Sequence, residues 1–362
     1  MEFKQTMSSR DATRITQFVQ REFPGVAGIE QVAGDASFRA YFRIHTDDGP
    51  RILMDAPPDK EDCAPFVDIA RHLRAHGVHV PLLHHVDLEQ GFLALEDLGD
   101  VTLLQALNSG VEAETLYAMA CDQLLAMQQA PIDGSCIAHQ RPYDHTLLRF
   151  EFSLLTDWYI EGILQTPISD ADYDAFDEVF EQIIAALLKQ PRVLVHRDYH
   201  SRNLMWRGPG LPLGVIDFQD AVVGPITYDL ASLLRDCYVA WDEPFRQHVQ
   251  REWLAGAESK LGYAPKWEDF SRDFDWMAIQ RNLKAVGIFG RLWLRDGKCG
   301  YMDDVPRTMS YVRETLARQP ELAELNALLA KYIPAGCEPS AADVQARGRQ
   351  IPPRPAAQMS AT

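Results

Sequence analysis

Between residues 193 and 220 the sequence reads VLVHRDYHSRNLMWRGPGLPLGVIDFQD. The apolar run 193–195 leads straight into His196, Arg197 and Asp198. Asn203 stands five positions beyond Asp198, and Asp217 stands fourteen beyond Asn203, closing a second apolar run at 213–216. Phosphoryl transfer needs a carboxylate beside the acceptor hydroxyl and hard oxygen ligands that hold Mg²⁺ against phosphates. A strand–loop–strand hairpin would supply all three: Asp198 in the loop, Asn203 at its end and Asp217 on the returning strand. Asp and Asn are also common turn formers, and HRD or IDF alone arises by chance. The ordered combination, each polar group closing an apolar run, is what points to chemistry.

These residues need a frame. In the first hundred residues, 37–44 (SFRAYFRI), 51–54 (RILM) and 91–95 (GFLAL) read as strands. Pro65 opens a helix with Phe66, Ile69 and Leu73 on one face, and Gly77 stops it. From about Asp100 the pattern turns helical, with helices expected over 112–129, 145–163, 225–241, 274–294 and 305–317. The clearest stripe lies in 173–190, where Phe176, Val179, Phe180, Ile183, Ile184, Leu187 and Leu188 recur at helical spacing and read as core. The expected class is therefore α+β, with a small β-rich lobe over 1–98, a large helical lobe over 99–334 and a flexible tail over 335–362.

Bulk properties narrow the partners. The 362 residues carry a net charge of −17, which argues against nucleic acid or an anionic membrane. No apolar run reaches the roughly 20 residues that span a bilayer, and residues 1–10 lack a signal-peptide core, so a cytoplasmic protein is expected. The six cysteines are scattered without a CxxC pair. His72 and His76 have the i, i+4 spacing of a metal pair, but no HExxH signature accompanies them. They read as a solvated helix end, with His79, His84 and His85 in the loop beyond.

The motifs together resemble those of the aminoglycoside phosphotransferase/choline kinase-like family, relatives of the protein kinases. That family closes its second motif with I-D-F/W-x-D/E, as IDFQD does at 216–220, and continues with a segment similar to GPITYDLASLLRD at 224–236. The resemblance implies a two-lobed kinase-like fold that uses ATP and Mg²⁺. It implies Asp198 as catalytic base, Asn203 and Asp217 as metal ligands, His196 as scaffold and Asp229 as a brace for the catalytic loop. Gly34, Asp35, Ala36 and Ser37 would cover the ATP phosphates, and Glu96 and Leu98 would meet adenine through their backbone. In one departure, Met54 stands where such kinases carry a phosphate-contacting lysine. Lys60, Arg39 and Arg43 are the candidates to replace it, with Glu61 or Asp68 as acidic partner.

Closer still, GDASFRAYFR, MDAPPDKED, HRDYHSRNLMW and IDFQDAVVGPITYDLASLLRDCY are similar to one branch of the family. It is the bacterial anomeric kinases for N-acetylmuramate and N-acetylglucosamine of cell-wall recycling. The resemblance implies a small amino-sugar substrate phosphorylated at its anomeric hydroxyl, giving the α-1-phosphate. A lactyl carboxylate wants a cation, and a sugar wants polar groups and an aromatic face. Arg235, Asp236, Tyr238, Arg281 and Asn282 are candidates, with Gln280 and Arg291 nearby; each reads equally well as an interhelical polar residue. Two alternatives stay open: an aminoglycoside- or choline-type kinase, which the acidity suits, and a pseudokinase, which the absent lysine suits. A monomer without nucleic-acid or membrane partners is expected.

Overall fold

The structure, a computed structural model, describes residues 9–26, 28–32 and 39–349. The chain packs as two compact units. The first combines the residues up to Arg141 with Arg202–Ala221, and the second combines Pro142–Ser201 with the residues from Val222 onward. The lobes 1–98 and 99–334 follow the change in secondary structure instead of this packing.

The first unit opens with α1 (Ser9–Glu22), β1 (Ile29–Gln31), β2 (Ala40–Thr46) and β3 (Gly49–Asp55). After α2 (Ala64–Ala75) come β4 (Leu83–Asp87), β5 (Phe92–Glu96), α3 (Leu103–Asn108) and α4 (Ala113–Gln129). The five strands form one antiparallel sheet in the order β1-β2-β3-β5-β4. A strand stands at each expected place, with residues 37 and 38 of the first lying outside the described residues. Only one helix was expected in the first hundred residues, and α1 is a second. Its apolar stripe is just Ile15, Phe18 and Val19, and these pack on Phe42, Ile44, Leu53 and Phe92 of the sheet. Removing them from water contributes about 1.5–3 kcal/mol for each large side chain.

The chain then enters the second unit. Helix α5 (His145–Leu154) continues into a π-helical turn, Leu155–Ile163, followed by α6 (Asp170–Leu187) and β6 (Arg192–Val195). Strands β7 (Leu204–Met205) and β8 (Gly214–Val215) return to the first unit. The rest is β9 (Val222–Pro225), α7 (Tyr228–Leu234), α8 (Glu243–Leu261), α9 (Trp267–Asp296), α10 (Val305–Leu316), α11 (Ala323–Tyr332) and α12 (Ala341–Arg347). Among the described residues, no helix is long and apolar enough to cross a membrane.

Three expectations need correction. The runs at 193–195 and 213–216 do not pair as one hairpin. Strand β6 pairs with β9, and β7 pairs with β8, so the β7–β8 hairpin is inserted between the two strands of the other pair. The helix expected over 225–241 is only α7. Asp236 accepts the Tyr238 N–H at 2.8 Å in a turn that competes with further helix. Finally, residues 335–349 are not a loose tail. Ser340 and Asp343 form a capping box for α12, whose Val344 is buried, and Glu338 forms an ion pair with Arg313 at 2.5 Å.

Candidate active site

The first unit holds a cavity of about 360 Å³. Val32, Ile52, Leu95, Leu98, Met205 and Ile216 form an apolar slot suited to a flat aromatic base, and Asn203 and Asp217 lie along the same cavity. Strand β5 ends at Glu96 against this slot. The Glu96 N–H donates to the Leu82 carbonyl at 2.8 Å. Asp97 is fixed by a two-pronged pair with Arg43 of β2, at 2.6 and 3.1 Å, and Arg43 also reaches Asp100 at 2.7 Å. Leu98 needs room below it: a Cβ on Gly214 would lie 2.6 Å from its Cδ1. A side chain at 214 would therefore push the Leu98 tip out of its place in the slot.

Strands β7 and β8 bring the two expected metal ligands together. The Asn203 Nδ2 donates to Asp217 Oδ2 at 3.3 Å, and the Asn203 carbonyl accepts the Ile216 N–H at 3.1 Å. Gln219 Nε2 holds the other Asp217 oxygen at 2.8 Å. Asp217 has φ +64°, a left-handed conformation that a non-glycine residue adopts at a cost of order 1–3 kcal/mol. An amide oxygen and a carboxylate side by side are the donor set that Mg²⁺ prefers, so the residues fit the ion. Gly34, Asp35, Ala36 and Ser37, expected over the phosphates, lie outside the described residues.

The place of the missing lysine is also visible. Met54 is fully buried in β3, opposite Tyr41 and Leu93. Arg39, just before β2, is buried and paired with Glu61 at 2.5 Å. Both were sequence candidates, whereas Arg43 serves Asp97 and Asp68 accepts the Ile137 N–H at 2.6 Å.

The second unit carries Asp198. Strand β6 ends at Val195, and the next residues are held from α7. Asp229 accepts the His196 N–H at 2.7 Å and the Arg197 N–H at 3.1 Å. Asp236 accepts the Ser201 N–H at 2.9 Å. His196 is fully buried, and its Nδ1 accepts the Asp198 N–H at 3.3 Å, which is scaffold geometry. Arg197 has φ +78°. Its guanidinium donates to Glu151 at 2.9 Å, and Glu151 also takes Lys284 Nζ at 3.0 Å, Gln280 Nε2 at 3.0 Å and the Tyr143 hydroxyl.

Charge in this cluster sets the state of Asp198. Burial alone would raise its carboxyl, but Lys284, His200, Arg281 and Arg197 bring it down to about 2. His200 is itself pushed down to about 4 by burial and is neutral at neutral pH, so Lys284, Arg281 and Arg197 supply the field there. Burial pushes Asp229 up to about 6.

The remaining sugar candidates divide. Arg235 is buried in ion pairs with Glu314 at 3.4 Å and Asp275 at 3.9 Å, and Asn282 Nδ2 donates to its carbonyl at 3.0 Å. Asp236 holds the loop after β6 through the Ser201 N–H. Arg281 donates to Ser232 at 3.1 Å, and the Tyr238 ring stands on His200 with centroids 5.4 Å apart. Sequence reasoning missed Glu151, Lys284, Tyr143 and Tyr228, whose hydroxyl accepts from Lys284 Nζ at 2.9 Å. A signal for one of them existed: Gln280, Arg281, Asn282 and Lys284 interrupt an otherwise apolar stretch of helix, and all four are buried.

Residues 28–265 match the model of the phosphotransferase enzyme family. The N-acetylmuramate/N-acetylglucosamine kinase of Pseudomonas aeruginosa is 44% identical over 308 residues, which are 84% of this chain and 88% of that protein. Among solved structures, ADP-bound aminoglycoside phosphotransferase APH(2'')-Ib is similar with a TM-score of 0.57 at 16% identity, over 84% of this chain and 99% of that one. Plasmodium vivax ethanolamine kinase is similar with a TM-score of 0.57 at 12% identity, over 80% and 82%.

Proposed function

The chain belongs to the phosphotransferase enzyme family, and from that premise we propose that it transfers the γ-phosphoryl group of ATP to the anomeric hydroxyl of N-acetylmuramate or N-acetylglucosamine. The product is the sugar 1-phosphate. The observation that carries the transfer chemistry is the pairing of Asn203 and Asp217 along an apolar slot sized for a nucleotide base. The substrate rests on the relative named for those two sugars.

In this reading the first unit holds ATP. Its base enters the slot against Leu98 and takes hydrogen bonds from the backbone at 96–98. Asn203 and Asp217 would hold Mg²⁺, which when bound neutralises phosphate charge and fixes the phosphates' orientation. Arg39, held by Glu61, stands in for the lysine on the phosphates. The second unit presents Asp198. A carboxylate at about 2 is too weak a base to ionise a sugar hydroxyl at rest. It orients the hydroxyl by accepting its hydrogen bond and takes the proton late, as the new P–O bond acidifies the oxygen.

The test is an acceptor panel with ATP and Mg²⁺ read by phosphorus NMR: N-acetylmuramate, N-acetylglucosamine, glucose, kanamycin and choline. A sugar 1-phosphate signal from the amino sugars is expected, and its loss in Asp198→Asn assigns the base. Signal from kanamycin or choline alone overturns the substrate. ATP binding without any product overturns the transfer.

A further inference from the structure

Away from the cavity, α2 and the short 3₁₀ turn Ile137–Gln140 pack against each other within the first unit. Helix α2 offers Asp68 and His72, four residues apart on one face. The turn offers Cys136 and His139, three apart. One ligand atom from each of His72, Cys136 and His139 lies within 4.8 Å of the others. The imidazoles meet nearly perpendicular, with centroids 4.7 Å apart. All three side chains are enclosed: His72 is 9% exposed, Cys136 1% and the His139 side chain 2%. His72 therefore does not sit on a solvated helix end, as its sequence context suggested.

The Nε2 atoms of both His72 and His139 are buried and have no hydrogen-bond partner. A buried polar atom left without a partner calls for an explanation, such as an ion or a trapped water. Two such atoms beside a free buried thiol form a nitrogen and sulfur donor set, which selects zinc-class cations over Mg²⁺. We propose that His72, Cys136 and His139 bind a divalent cation of the zinc class, with three protein donors and a fourth position open. The site is distinct from the oxygen pair at Asn203 and Asp217.

The surroundings fit this assignment. Burial keeps His72 neutral, so it can offer a lone pair. Burial and the neighbouring Asp68 carboxylate push the Cys136 thiol up to about 11, so the sulfur keeps its proton until a cation displaces it. Asp68 then supplies compensating negative charge. His139 Nδ1 accepts the N–H groups of Gly134 at 3.1 Å and Cys136 at 3.4 Å, which puts the ring proton on Nε2 in the metal-free chain. Cation binding at Nε2 shifts that proton to Nδ1, which then gives up both backbone N–H groups and faces the exposed Asp133 carboxylate 3.6 Å away. The thiol proton leaves to solvent as the thiolate–cation bond forms.

The test strips the full-length protein with a chelator under reducing conditions and titrates it with Co²⁺, then Zn²⁺. One equivalent of Co²⁺ is expected to give tetrahedral d–d bands and a thiolate-to-cobalt band, both erased by Zn²⁺. Cobalt on the Asn203 and Asp217 oxygens gives no thiolate band. Cys136→Ser removes that band, and His72→Ala weakens uptake about 10–100-fold. Circular dichroism checks that both fold, with His139→Gln as a third variant if either does not. Zn²⁺ should also raise Tm of the native chain. No thiolate band, or the same band in Cys136→Ser, overturns the site and leaves a trapped water as the occupant.

Discussion

At the scale of single residues, the catalytic geometry depends on side chains far from the motif. Arg197 holds a left-handed backbone, and its guanidinium is anchored on Glu151, so Glu151 helps to place Asp198 without touching its backbone. Glu151→Gln leaves Arg197 and Lys284 without their buried counter-charge. It should cost about 3–5 kcal/mol in urea unfolding, and Glu151→Gln with Lys284→Met should recover part of that loss. Asp198→Asn should lower kcat about 10²–10⁴-fold and also lower Tm, since it takes a counter-charge away from Lys284, Arg281 and Arg197. The Asp198 carboxyl lies near 2, below its ordinary value, so it stays ionised as pH falls and its stabilising contribution is lost only on passing through that value. The pH profile of kcat/KM should show no acid limb from Asp198 in the ordinary carboxylate range. Asp229 has the opposite sign. At about 6 it binds a proton more readily than in the unfolded chain, so it costs stability as pH rises toward 6, and Asp229→Asn should flatten that slope. Arg39→Met should raise KM for ATP about tenfold or more, while Lys60→Met leaves it unchanged. Asp198, Asn203, Asp217, His196 and Asp229 were legible because they cluster in one stretch of chain. Glu151 was not, because its partners come from helices distant in sequence.

At the scale of elements, α9 does the most positioning, since it carries Gln280, Arg281 and Lys284 to the charge cluster and must pass close to the π-helical turn. A Cβ on Gly287 would meet the Leu154 carbonyl carbon at 2.4 Å and its Cβ at 2.6 Å. Gly287→Ala should therefore destabilise the protein by about 1–3 kcal/mol, seen as a lower Tm, and should reduce kcat by shifting Lys284. Helices with a strong stripe, such as α6 and α10, were read from the sequence almost to their ends. Helix α8 was missed although it has Asp242 as N-cap, Pro244 in its first turn and Gly262 at φ +68° as its stop, because its apolar face is thin. The pairing of β6 with β9 was also hidden. Two- to four-residue strands carry too few side chains to specify a partner, and only tertiary packing selects it.

At the scale of the whole molecule, the sequence's most conspicuous motif is shared between two compact units. Asp198 belongs to the second unit, and Asn203 with Asp217 to the first. A nucleotide alone should therefore protect one unit selectively. With ADP and Mg²⁺ but no sugar, amide hydrogen exchange should slow in β3, β5, β7, β8 and residues 96–99, and stay unchanged in the middle of α9. Equal protection of α9 would sink this division of labour. Residues 202–221, which supply Met205, Ile216 and Phe218 to the first unit, are translated only after all of 142–201. At roughly 5–20 residues per second that interval is on the order of 3–12 s. Throughout it, Phe66, whose ring will pack at a tilt against Phe218 with centroids 4.8 Å apart, and the walls at Ile52 and Leu95 have no floor beneath them. Ribosome pausing within 142–201 prolongs that exposure, and a chain released before Ala221 never closes its slot. Slowing codons placed within 142–201 should therefore lower the soluble yield of an otherwise unchanged protein, which expression of synonymous genes measures.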